Sequence, residues 1–124
     1  MIQSILQVAL GGAIGASLRY LTNVGARSLF GAGYPFGTLI VNILGSFLMG
    51  VLVVVLAKRG GNHLVPFLMT GILGGFTTFS AFSLDTLTIW ERGEPASAFV
   101  YVAASVLLSL AAIVAGLALA RSLT

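Results

Sequence analysis

Thr38, Asn42 and Ser46 recur at i, i+4 and i+8, and so do Tyr101, Ser105 and Ser109, so each trio forms one narrow polar stripe along a helix. Isolated Ser and Thr in apolar helices more commonly act as glue between helices. Hydrogen bonds of that kind average only about 0.6 kcal/mol inside a membrane, so two unbroken stripes are more than packing requires. Such stripes suit a hydrated path for a small polar solute or ion. Between them in the chain lies Thr70-Gly71-Ile72-Leu73-Gly74-Gly75-Phe76-Thr77-Thr78-Phe79-Ser80-Ala81-Phe82-Ser83. Gly74-Gly75 followed by Thr77-Thr78 is poor helix and predicts an interruption near the membrane midplane. Carbonyls released by such a break suit a cation, whereas Gly71 and Gly75 also make a GxxxG packing face. Phe79 and Phe82 fall on one helix face just past the break. Phenylalanines in a span usually face lipid or core, yet the ring edge is positive, and edges turned into a path favour an anion. Asn42 supplies N–H donors of the kind a small anion needs.

The elements that must position these residues are membrane spans. Of 124 residues, 58% are hydrophobic and 7% charged, with a mean hydropathy of +1.10; a soluble domain carries about 25% charged residues. Four apolar stretches of spanning length run from about 2 to 21, 36 to 57, 64 to 90 and 96 to 120, each close to the roughly 20 residues a transmembrane helix needs. The expectation is a single four-span transmembrane domain over residues 1–124, with short loops only. Those loops are a Gly-rich stretch from Gly25 to Pro35, a basic turn from Lys58 to His63 and a charged turn from Glu91 to Pro95. The first stretch lacks the basic start and cleavage site of a signal peptide and reads as a retained span. Gly11/Gly15, Gly12/Ala16 and Ser46/Gly50 read as packing positions.

The charges exclude several classes. The six Lys and Arg are scattered and form no patch for nucleic acid. Zero cysteines remove disulfides, thiolate metal sites and Cys nucleophiles, and the single His63 builds no metal site. Apart from Asp85, read as interfacial or paired near a span end, no span offers an acid or base, which disfavours an enzyme. Four spans put Lys58, Arg59 and Arg121 on one side of the membrane and Arg19, Arg27 and Arg92 on the other. The positive-inside bias that sets orientation is absent. That balance is compatible with weak topology set by other means, or with copies inserted both ways and paired antiparallel. Arg19 either snorkels to the interface or raises the local anion concentration at a vestibule.

Three segments taken together resemble the Fluc-type (CrcB) fluoride channel family. They are Gly12-Ala13-Ile14-Gly15-Ala16-Ser17-Leu18-Arg19-Tyr20, Gly37-Thr38-Leu39-Ile40-Val41-Asn42 with Gly45-Ser46-Phe47, and Gly71 through Ser83. The resemblance implies an all-α membrane protein, an antiparallel dual-topology homodimer of four-helix chains in the plasma (inner) membrane. It would pass fluoride passively through two pores. Asn42, Phe79 and Phe82 match the family's pore-lining positions; Tyr101, Ser105 and Ser109 match its fourth-span polar track; Ser80 and Thr38 fall near the same path. A structural sodium ion on the dimer axis would be held by main-chain carbonyls matching Gly74 and Thr77 of both copies. The partners implied are therefore a second copy, fluoride and the bilayer. The competing reading is a small dual-topology multidrug-type exporter, which needs a titratable carboxylate deep in a span. A subunit that only packs against partners is the other, and the two polar stripes argue against it.

Overall fold

The computed structural model describes residues 1–124, and all of its regular structure is helical. Helix α1 spans Ile2–Phe30 and α2 spans Phe36–Lys58. A 3₁₀ turn at Asn62–Leu64 leads into a π-helical segment, Pro66–Leu73, which continues as the single turn α3, Gly74–Phe76. Helices α4, Phe79–Glu91, and α5, Pro95–Leu123, complete the chain. Taken with the third segment as a unit over Asn62–Glu91, four helical spans are long and apolar enough to cross a membrane. At 1.5 Å rise per residue, the 23-residue α2 is about 35 Å long, enough for a hydrocarbon core of about 30 Å.

Helix α1 does not stop at the Gly-rich stretch. Residues 25–30, expected to be loop, continue the helix to Phe30. One glycine costs a helix only about 1 kcal/mol, and Ala26 and Arg27 that follow Gly25 are strong helix formers. The stop comes at Gly31, whose positive φ of 82° suits a residue without a Cβ and lets its N–H reach the Arg27 carbonyl. Pro95 opens α5 at its first turn, where its missing N–H is no loss.

The helices meet through glycine. A Cβ on Gly75 would stand 2.8 Å from the Gly12 carbonyl oxygen and 3.1 Å from the Ala16 nitrogen. One on Gly71 would lie 2.9 Å from Gly11 Cα. The backbones of α1 and the third segment therefore touch directly. Gly50 of α2 and Gly116 of α5 make the matching approach, Gly50 against Ile113 and Leu117, Gly116 against Phe47 and Val51. Such close approach substitutes van der Waals contact for the hydrophobic drive that lipid removes. The largest fully buried side chains are Tyr101, Ile89 and Val41, and Tyr34 and Phe82 pack on the Tyr101 cluster.

Candidate functional site

The chain leaves the helix at Thr77 and Thr78. Within the run expected to interrupt the spiral, Gly74-Gly75 followed by Thr77-Thr78, the glycines stay helical (Gly74 φ −62°, ψ −37°) and the threonines do not. Thr77 (φ −87°, ψ 160°) and Thr78 (φ −154°, ψ 126°) are extended. Threonine carries the change because β-branching favours extended backbone and because its hydroxyl replaces lost helical partners. Thr78 Oγ1 accepts from the Ala81 N–H at 3.1 Å and so caps α4. Thr77 Oγ1 donates to the Leu73 carbonyl at 2.9 Å.

Asn42 closes the gap from α2. Its Nδ2 donates to the Thr78 carbonyl at 2.9 Å, and its Oδ1 accepts the Thr78 N–H at 2.8 Å. A side-chain amide thus pairs with a main-chain peptide in both directions. In apolar surroundings each unpaired backbone group costs several kcal/mol, so this clamp makes the extended pair tenable. It also has a consequence for two carbonyls. In a continuous helix the N–H groups of Thr78 and Ala81 would serve the carbonyls of Gly74 and Thr77; here they go to Asn42 Oδ1 and Thr78 Oγ1. Oxygen donors released in this way suit a hard cation. No group of three or more His, Cys, Asp or Glu side chains comes together to hold a metal.

Two clefts flank this region. The smaller, of about 380 Å³, brings together Asn42, Ser46, Thr78, Phe79, Phe82, Ser105 and Ser109. Of the residues singled out by spacing, Asn42, Phe79, Phe82, Ser105 and Ser109 therefore converge on one groove. Its walls carry no ionisable side chain. Phe79 is 78% exposed, and its ring centroid lies 5.5 Å from that of Phe82. Ser105 is buried, and its hydroxyl has no partner within the chain. An unpaired buried hydroxyl costs about 1–3 kcal/mol, so it is a donor kept free.

The larger cleft, of about 650 Å³, is lined by Tyr20, Asn23, Arg27, Tyr34, Thr38, Asp85 and Arg92 among others. Burial pushes the Tyr34 phenol above its ordinary value of 10.0. Thr38 thus belongs to this cleft, one helical turn from Asn42 in the groove. Tyr101 lines neither. It is fully buried, donates from its hydroxyl to Asp85 Oδ2 at 3.1 Å, and holds Tyr34 edge-on at 5.6 Å and Phe82 at 5.5 Å. Asp85 is paired in this way. The Phe82–Tyr101 stack joins a ring of the groove to a residue bonded to the larger cleft. Ser80 is exposed and lies 3.3 Å from Thr78 Oγ1. Arg19 also lines neither cleft; its Nε donates to the Gly75 carbonyl at 3.0 Å.

Thr78 was not among the expected site residues, whereas Asp85, expected to be interfacial or paired, is paired with Tyr101. Ser46 was visible in the α2 stripe. Thr78 had only its adjacency to Thr77 as a signal, because its part depends on Asn42 from another helix.

Residues 6–117 match the family described as CrcB-like protein, camphor resistance (CrcB). The chain is 67% identical over 121 residues to a protein of Cereibacter sphaeroides named fluoride-specific ion channel FluC, covering 98% of this chain and 97% of that one. Proteins of the same name from Paracoccus denitrificans and Mesorhizobium japonicum are 60% and 55% identical, over 99% and 97% of this chain and 98% of each relative. With matched residues that run from α1 through the groove-lining part of α5, and relatives that align end to end, the chain is a multi-pass membrane protein that belongs to the CrcB family.

Proposed function

We propose that this protein is a fluoride-selective passive channel that lets fluoride leave the cytoplasm. The observation that carries the reading is the uncharged groove in which Asn42, Ser105, Ser109, Phe79 and Phe82 converge; the names of the relatives point the same way. Fluoride is the smallest halide and accepts hydrogen bonds strongly. The groove offers it the Ser109 hydroxyl and the second N–H of Asn42, the first being spent on Thr78, and the unpaired Ser105 hydroxyl lies buried just beneath its wall. Positive ring edges of Phe79 and Phe82 complete the wall. Neutral donors bind an anion strongly enough for it to enter and weakly enough for it to leave. The exporter alternative requires a carboxylate in the path, and the groove has none.

The working unit in this reading is an antiparallel, dual-topology homodimer in the inner membrane with two pores. Its support is the balance of basic residues across the spans and the outward exposure of Gly74, Phe79 and Ser80 in the single chain, a face a second copy would cover. A structural sodium ion fits the same face: the carbonyls of Gly74 and Thr77, deprived of their helical N–H partners, would hold it together with those of the second copy. Bound there, it supplies a fixed positive charge that ties two interrupted segments together. Transport needs no energy coupling. Hydrogen fluoride crosses bilayers when neutral and dissociates inside, and the anion then leaves down an inside-negative potential worth about 2.3 kcal/mol per charge per 100 mV.

Efflux from liposomes carrying the purified protein, followed in parallel with fluoride and chloride electrodes, tests the reading. Fast fluoride efflux with only a potassium shunt, and negligible chloride efflux, is the expected result. Silence for both ions in dimeric protein overturns it.

A further inference from the structure

We infer that Arg19 is a positioning residue, which holds the interrupted backbone in place through its Nε–H, and that its contribution to conduction is this directed bond rather than its charge. The flux part of the inference rests on the channel reading above; the structural part does not.

Arg19 continues the face of α1 that touches the third segment. Gly12, Gly15, Ala16 and Arg19 stand at i, i+3, i+4 and i+7, one above another along the helix. Gly75 is pressed against Gly12 and Ala16, and a Cβ on Gly15 would run into Ile72 and Phe76. The next turn of the same face delivers the Arg19 Nε to the Gly75 carbonyl at 3.0 Å. The chain's one ion pair is Arg92 with Glu94, so no carboxylate draws Arg19 elsewhere. Nε also lies nearest the side-chain stem, which makes it the guanidinium nitrogen with the least freedom to wander. A hydrogen bond from a charged donor is among the stronger kinds.

The interruption is therefore gripped on both sides of Thr77 and from two helices. From α1, Arg19 holds the Gly75 carbonyl; from α2, Asn42 holds both polar groups of Thr78. Gly74 and Thr77, whose carbonyls have lost their helical N–H partners, lie immediately before Gly75 and between the two clamps. Rotation of the Gly75 peptide would redirect those carbonyls and shift the start of α4, which carries Phe79 and Phe82. Arg19 lines neither of the two clefts, and its Nε is committed to the Gly75 carbonyl.

Three substitutions separate bond from charge. In Arg19→Gln the amide nitrogen stands the same number of bonds from Cα as Nε, so the donor stays and the charge goes. Arg19→Lys keeps the charge and moves the donor one bond outward; Arg19→Met removes both. Fluoride efflux from liposomes is measured for each at low and high ionic strength, beside hydrogen exchange of the Gly75–Phe79 stretch by mass spectrometry in detergent. Arg19→Gln is expected within about threefold of the native flux, while Arg19→Lys and Arg19→Met fall about tenfold and exchange faster across the interruption. Those losses should be equal at both ionic strengths, since salt screens a distant charge and not a directed bond. Retained flux in Arg19→Lys with loss in Arg19→Gln overturns the inference, and so does an equal loss, or no loss, in all three. Should Arg19→Met fail to fold, the Gln and Lys pair decides alone. A native protein that conducts no fluoride would sink the channel reading, while the exchange pattern would still judge Arg19.

Discussion

The larger cleft, of about 650 Å³, gathers Arg27, Arg92 and Asp85 on its walls, whereas the groove of about 380 Å³ has no ionisable group and presents amide, hydroxyl and ring edge instead. The two are joined through one stack, Phe82 on Tyr101, with Tyr101 bonded to Asp85. Charge is concentrated where space is wide enough for water to solvate it. Where the walls close in, moving an ion out of water is expensive, and a fixed cation would hold an anion too tightly to release it. In the proposed channel, the contrast would assign attraction to the first region and selection to the second. It also explains why α2 and α5 each carry a stripe of small polar groups in place of one strong charge.

The largest effect is expected where the groove and the backbone clamp share a residue. Asn42→Asp removes the N–H that Thr78 accepts, sets a carboxylate oxygen against that carbonyl and adds a negative charge to an anion path. Fluoride efflux should fall about 100-fold or more, the combined cost of a lost buried bond and an unpaired buried charge. Near-native efflux would move the path out of the groove. Phe82→Ile comes next. It removes a ring edge from the groove and the partner stacked on Tyr101, so flux should drop about tenfold, with a loss of packing worth about 1 kcal/mol seen in thermal unfolding.

Ser105→Ala sharpens the comparison because its two readouts should move in opposite directions. Removing an unpaired buried hydroxyl relieves a penalty, so thermal stability should hold or rise by up to about 1 kcal/mol, while fluoride flux falls about threefold to tenfold. A parallel fall in both would make Ser105 a packing residue. The smallest effect belongs to the larger cleft. Arg27→Gln should reduce flux about twofold at low ionic strength and leave it unchanged near 0.15 M salt, where the Debye length is about 8 Å. A salt-independent loss would mean that Arg27 touches the ion directly.

Much of this arrangement was legible in the residues. Hydropathy alone predicts four spans, and the i, i+4, i+8 spacing puts Asn42 beside Ser46 and Ser105 beside Ser109 on helix faces that do meet in one groove. The reading ran short where a residue's role depends on a partner from another helix. The run Gly74-Gly75 to Thr77-Thr78 predicts an interruption without saying which pair unwinds; Gly75 packs on α1 and both glycines stay helical, and the extended pair falls at Thr77-Thr78, where Asn42 can clamp it. Tyr101 belongs to a stripe by spacing, but Asp85, Tyr34 and Phe82 draw it into the core. Helix α1 runs past its apolar stretch to Phe30 because local helix formers outweigh the single glycine at 25.

By itself the sequence determined the membrane-spanning class, the CrcB resemblance and which side chains share a helix face. Each of these depends on composition, order or the 3.6-residue period, all of which are local. Only the tertiary structure decided that Asn42 pairs with the Thr78 peptide, that Arg19 reaches the Gly75 carbonyl, and that the charged cleft and the uncharged groove are separate places. Those facts join residues dozens of positions apart. They follow from glycine faces that let backbones touch, a distance no periodicity along one chain encodes.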